Sequence, residues 1–123
     1  MSELQSSIPS KENKAFFIKV VSGHSKVQSI HEISDQLYEI ALTNNTAIIA
    51  YLTNKYIIGI ADYLDFIEES SNLNCIVTTS AWNSYTDDAK QRSVENQIGL
   101  FDIADFLGAL HQSYFWNYVK KDN

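Results

Sequence analysis

Several things are scarce in this chain of 123 residues, and each scarcity excludes something. A single cysteine, Cys75, rules out an internal disulfide framework and fits a reducing, cytoplasmic setting. One proline and four glycines argue against low complexity. The longest apolar runs, at residues 47–52 and 56–61, fall far short of the ~20 residues a membrane helix needs. Residues 2–10 are polar and lack the apolar core of a secretory signal, so none is expected. Basic side chains are also few: nine lysines and arginines against fifteen acids give a net charge of −6. Between Lys26 and Lys90 the only basic residue is Lys55, while Asp62, Asp65, Glu68 and Glu69 crowd together. The remaining bases lie toward the ends, at Lys11, Lys14, Lys19 and Lys26, then Lys90, Arg92, Lys120 and Lys121. A nucleic-acid binder normally carries a basic stripe that neutralises phosphates, so nucleic acid is not the favoured partner.

What is present predicts one α/β domain over residues 14–119, with a loose arm at 1–13 and a tail at 120–123. Residues 15–21 have the aromatic and β-branched content of a buried strand. Ser29 with Glu32 reads as a capping box, and Ile30, Ile33, Leu37, Ile40 and Ala41 recur at helical spacing. Asn44 and Asn45 would end that helix. Further strands are expected at 46–53, at 56–60, from Cys75 and from Ile98. Helices are expected at 62–70, from Thr86, and after Asp102 to about Tyr118. Strands alternating with helices, apolar on both faces, imply a mainly parallel sheet of four to five strands with helical cover.

Residues 58–67 echo residues 98–107 without a gap. In both, an apolar strand runs into an aspartate (Asp62, Asp102) able to cap the next helix, with a second aspartate three places on. Two junctions arriving at the same solution are the favoured account, since one pair of copies is too little evidence for a duplication.

Three motifs follow one another near the C-terminus: Cys75-Ile76-Val77-Thr78-Thr79-Ser80, Tyr85-Thr86-Asp87-Asp88-Ala89 and Ile98-Gly99-Leu100-Phe101-Asp102. Their order resembles the closing segment of Mrr-like restriction endonucleases, a V-T-T-S strand, an F-T-x-x-A helix start and an I-x-L-F/I-D strand. Upstream, Lys19-Val20-Val21-Ser22-Gly23-His24-Ser25-Lys26 is similar to the family's stretch after its catalytic lysine. The resemblance implies a restriction-endonuclease-like fold, with Lys19 in the catalytic position and magnesium as cofactor if the chain cuts DNA. Two places before that lysine the family carries an acid or glutamine; Phe17 stands there, and a phenyl ring cannot ligate magnesium. The expected function is therefore a domain of nuclease ancestry that serves as a binding module, without metal or cofactor. An active magnesium-dependent endonuclease is the alternative.

Other candidate sites come from the residues alone. Ser22, Gly23, His24, Ser25 and Lys26, between a predicted strand and helix, would cradle a phosphorylated ligand. That supports a third reading, a small α/β domain binding such a ligand. His31 and His111 lack metal-ligand neighbours. Trp82 and Tyr85 leave the strand at Cys75 where parallel sheets usually bind ligands. Phe115 and Trp116 fall off the apolar stripe of the last helix. These four aromatics are the expected interface with a protein partner or a second copy.

Overall fold

Ser10 opens the first helix. Its hydroxyl accepts from Asn13 N at 3.0 Å and caps α1 (Lys11–Ser22). The computed structural model describes residues 7–70, 72–79 and 85–118, and α1 begins inside the stretch expected to be a loose arm. Ser7 is buried, and its carbonyl accepts from Thr53 Oγ1, Asn54 N and Gln36 Nε2. The strand expected at residues 15–21 is helical. Phe17 and Val21 stand one turn apart and are both fully buried, while Phe16 and Lys19 face solvent. Aromatic and β-branched content suits a pleated surface but does not impose one.

A meander follows, made of β1 (Val27–Glu32), β2 (Leu37–Leu42) and β3 (Ala47–Thr53), each antiparallel to its predecessor. This replaces the helix expected over residues 29–41. Ile30 and Ile40 share a face because they are paired across two strands, and the intervening Ser34, Asp35 and Gln36 form the bend. Asn45 takes a left-handed conformation (φ 70°) in the β2–β3 turn, where Asn44 Oδ1 accepts from Thr46 N at 3.1 Å. Asn44 and Asn45 thus end a strand instead of a helix.

From β3 onward the order is α2 (Ile60–Glu69), β4 (Cys75–Thr78), α3 (Asp87–Glu95), β5 (Gly99–Asp102) and α4 (Ile103–Ala109). The strands stand in the order β1-β2-β3-β4-β5, with β3–β4 and β4–β5 parallel. The sheet is therefore mixed where a mainly parallel one was expected. Helices α1 and α4 cover one face over Ile40, Ala50, Val77 and Phe101. Helices α2 and α3 cover the other, over Tyr51, Ile76 and Leu100. The second cover reaches only the parallel half. Among the described residues no helix packs on Glu39 or His31, which stay exposed.

Three further expectations need adjusting. Residues 56–60 contribute only an isolated bridge, Ile58 to Tyr85. The last helix stops at Ala109, and a 3-10 turn (Phe115–Asn117) follows. The chain returns over Gly108, where a Cβ would lie 2.6 Å from the Tyr118 hydroxyl. In the internal echo, Asp102 Oδ1 caps α4 by accepting from Asp105 N at 2.8 Å, whereas Asp62 Oδ2 reaches back to Gly59 N at 3.0 Å. The aligned aspartates serve different helix positions.

Candidate functional site

The parallel strands end in polar residues. Thr53 Oγ1 donates to Ser7 O at 3.0 Å and Thr78 Oγ1 to Lys55 O at 2.9 Å, so both hydroxyls serve to tie loops to the sheet. Beside them α3 carries Lys90 toward β5, where its Nζ donates to Leu100 O at 2.8 Å. The same ammonium lies 4.5 Å from the Phe101 ring centroid and 5.5 Å from that of Tyr85. Burial pushes the Lys90 ammonium down to about 8, against the pull of Asp105 and Asp102. Burial likewise pushes the Tyr85 phenol up to about 12, helped by the charges of Asp105 and Asp102 and by its hydrogen bond with Asp105. Since β5 pairs only with β4, Lys90 occupies a backbone acceptor of an edge strand, a device that blocks strand addition.

A cavity of about 400 Å³ opens beyond the ends of β4 and β5, between α1 and α4. Its apolar walls are Phe16, Val20, Ile103, Ala104 and Leu107; Asn13, Thr79 and Asp102 supply its polar groups.

The opposite end of the sheet differs in charge. No aspartate or glutamate occurs at residues 13–31, 40–61 or 106–118, and these segments supply the loops of that end around α1, β2–β3 and the C-terminal turn. Two adjoining hollows lie there, of about 180 and 280 Å³, sharing Leu42, Asn44, Leu110, Gln112 and Ser113. Lys26 and His111 line the first, Phe115 and Trp116 the second. The acids collect on the other face of the sheet: Asp62, Asp65, Glu68 and Glu69 on α2, Asp87, Asp88 and Glu95 on α3. That layer would repel a phosphate backbone.

The sequence-predicted residues scatter over this frame. Lys19 is exposed on α1, on a helix instead of a strand, and Phe17 beside it belongs to the core. Ser22 closes α1, and Gly23, His24, Ser25 and Lys26 follow this helix C-terminus, not a strand, so the helix dipole there opposes an anion. Ser22 Oγ donates to Lys19 O at 3.1 Å, and Gly23 N returns to the same carbonyl at 3.2 Å. His24 Nδ1 accepts from Lys26 N at 3.0 Å while Nε2 sits 2.9 Å from Leu107 O. These partners select the Nε2–H tautomer, which ties α1 to α4. Ser25 and Lys26 are exposed, and Lys26 lines a hollow. Tyr85 is half-buried against Lys90 and Asp105; Trp82 lies outside the described residues. Phe115 and Trp116 do come together, their ring centroids 5.9 Å apart and half-buried, with Tyr114 67% exposed beside them. Among the described residues no group of three or more histidine, cysteine or carboxylate side chains is placed to hold a metal ion.

Sequence reasoning missed the buried Lys90 and the charge of Asp105 that acts on it. The signal was there in part, since Thr86 was legible as a helix start and Lys90 falls one turn later on the side of buried Ala89 and Ser93. Comparison with family models, with curated proteins and with solved structures gives no significant match to this chain.

Proposed function

We propose that this chain is a restriction-endonuclease-like α/β domain that no longer cuts DNA and acts as a binding module for a protein partner or a second copy of itself. The observation carrying this reading is the pair of adjoining hollows at the C-terminal turn, lined by no carboxylate among the described residues, where Phe115 and Trp116 border one that Leu42 and Ile48 also line. Half-buried aromatic side chains without carboxylates beside them have the composition of an interface centre. The ordered motifs at residues 75–80, 85–89 and 98–102 support the nuclease ancestry. Phe17, in the core and two places before Lys19, supports the loss of activity. A buried Cys75, its thiol pushed up by burial, is inert and suits a cytoplasmic protein. DNA-related or defence processes are the setting that the ancestry suggests.

The test joins two measurements. Light scattering across concentrations should give a mass above the monomer for the wild type, and Trp116→Ala should lower it or abolish capture of a partner. A wild type that stays monomeric, with capture unaffected by Trp116→Ala, sinks the interface. Plasmid DNA incubated with magnesium or manganese should stay intact; cleavage that disappears in Lys19→Ala restores the endonuclease.

A further inference from the structure

The cavity between α1 and α4 is unlike the aromatic end in both shape and charge. Its volume of about 400 Å³ lies within the range of about 300–1,000 Å³ typical of small-molecule sites. It sits beyond the carboxyl ends of β4 and β5. Five apolar side chains form its walls, and the half-exposed Phe16 ring (55%) is held there on the rigid helix α1.

Its polar groups are biased toward acceptance. Asp102 uses Oδ1 to cap Asp105 N, and Oδ2 has no ion-pair partner among the described residues. The nearby Lys90 ammonium is directed to Leu100 O instead. Asn13 Nδ2 is turned to Thr79 Oγ1 at 3.5 Å, which leaves Asn13 Oδ1 as an acceptor. Among the described residues no lysine, arginine or histidine lines the space. A carboxylate plus neutral oxygens, on the border of an apolar cavity, matches an ammonium head with its three donors.

We propose that this cavity binds a small organic cation, a primary amine carried on an aromatic or branched aliphatic body. The body lies against Phe16, Val20 and Leu107, and the ammonium meets Asp102. The site is separate from the aromatic end and does not depend on its role.

An NMR titration of the full chain with three matched probes tests this: 2-phenylethylamine, 2-phenylethanol and 3-phenylpropionate. The amine should shift the amides of Asn13, Val20, Thr79 and Ile103 saturably, more tightly than the alcohol, with the carboxylate weakest. Asp102→Asn keeps the helix cap, because asparagine caps as well as aspartate. It should weaken the amine about tenfold and leave the alcohol unchanged. Ala104→Phe, at an exposed position on α4, should fill the cavity and abolish all three shifts. Equal binding of the three probes, an unchanged affinity in Asp102→Asn, or no saturable shift at those amides overturns the proposal.

Discussion

The two halves of the sheet bury themselves differently. In the parallel half, β4 is buried at every position and β5 at Gly99, Leu100 and Phe101, because helices lie on both faces. In the antiparallel half only one face is covered: β2 buries Tyr38 and Ile40 but exposes Glu39, and in β1 a register shift between Val27 and Ser29 lets Val27 and Ile30, three apart, both turn inward. Burial on two faces leaves a short unbroken apolar run, whereas burial on one leaves a period of two. Hydrophobic stabilisation should therefore be concentrated from β3 to β5.

Core truncations give the largest way to break that comparison. Phe101→Ala is expected to cost about 3–5 kcal/mol and Ile76→Ala about 2–5 kcal/mol by chemical denaturation, since both are fully buried. Ile30→Ala, half-buried on a strand with one open face, should cost roughly 1 kcal/mol. Comparable losses at Ile30 and Ile76 would show that the antiparallel half carries as much of the stability as the parallel half.

A smaller effect, opposite in sign between the halves, is expected from two buried tyrosines. Tyr63 on α2 is fully buried, and its hydroxyl accepts from Asn96 Nδ2 at 2.9 Å. Tyr38 on β2 is equally buried, packed edge-on to Phe17 at 5.3 Å, but its hydroxyl meets no hydrogen-bond partner among the described residues. Burial raises its pKa, with the charge of Glu32 adding to the rise. Tyr63→Phe should lose about 1 kcal/mol, whereas Tyr38→Phe removes an unpaired polar group and should gain up to about 1 kcal/mol. A loss at Tyr38→Phe equal to that at Tyr63→Phe would mean that the Tyr38 hydroxyl is bonded in solution.

The same division explains what was legible in the sequence. Residues 46–53, the strand at Cys75, the Thr86 helix start and the Ile98–Asp102 junction read correctly, because two-sided burial and side-chain caps are local signals. The first half misread in both directions. Phe17 and Val21 had helical spacing under a β-rich composition, and Ile30, Ile33, Leu37 and Ile40 matched a helical stripe by coincidence. Ile33 is half-exposed, so one member of that stripe never belonged to a core. Phe115 and Trp116 were legible as aromatics lying off a helical face, though the α-helix stops at Ala109 and they stand in a 3-10 turn. The cavity over Asp102 was not legible, since it depends on α1 being a helix that packs beside α4.

Two lysines supply the finest comparison, because folding moves them in opposite directions. Lys14 on α1 pairs with Glu32 Oε2 at 2.9 Å and Asp35 Oδ1 at 3.6 Å, and the bond to Glu32 raises its pKa above the ordinary 10.5. Its contribution is present below pH 10.5 and is lost as pH climbs through the raised value; for so exposed a pair it amounts to about 0–1 kcal/mol and fades with salt. Lys90 is lowered to about 8, so between that pH and 10.5 the unfolded chain holds a proton that the folded one has released. Its presence should therefore favour the fold increasingly as pH rises from 8 toward 10. Ionisation of Tyr85, whose pKa is pushed up to about 12, weighs on the fold only above its ordinary 10. Denaturant unfolding of wild type, Lys14→Met and Lys90→Met at pH 7, 8.5 and 10 separates the two. The Lys90→Met deficit should widen with pH and ignore added salt, while the Lys14→Met deficit should hold level with pH and shrink in salt. A pH-independent Lys90→Met deficit would place that ammonium in water, and the β5 edge would then lack its guard.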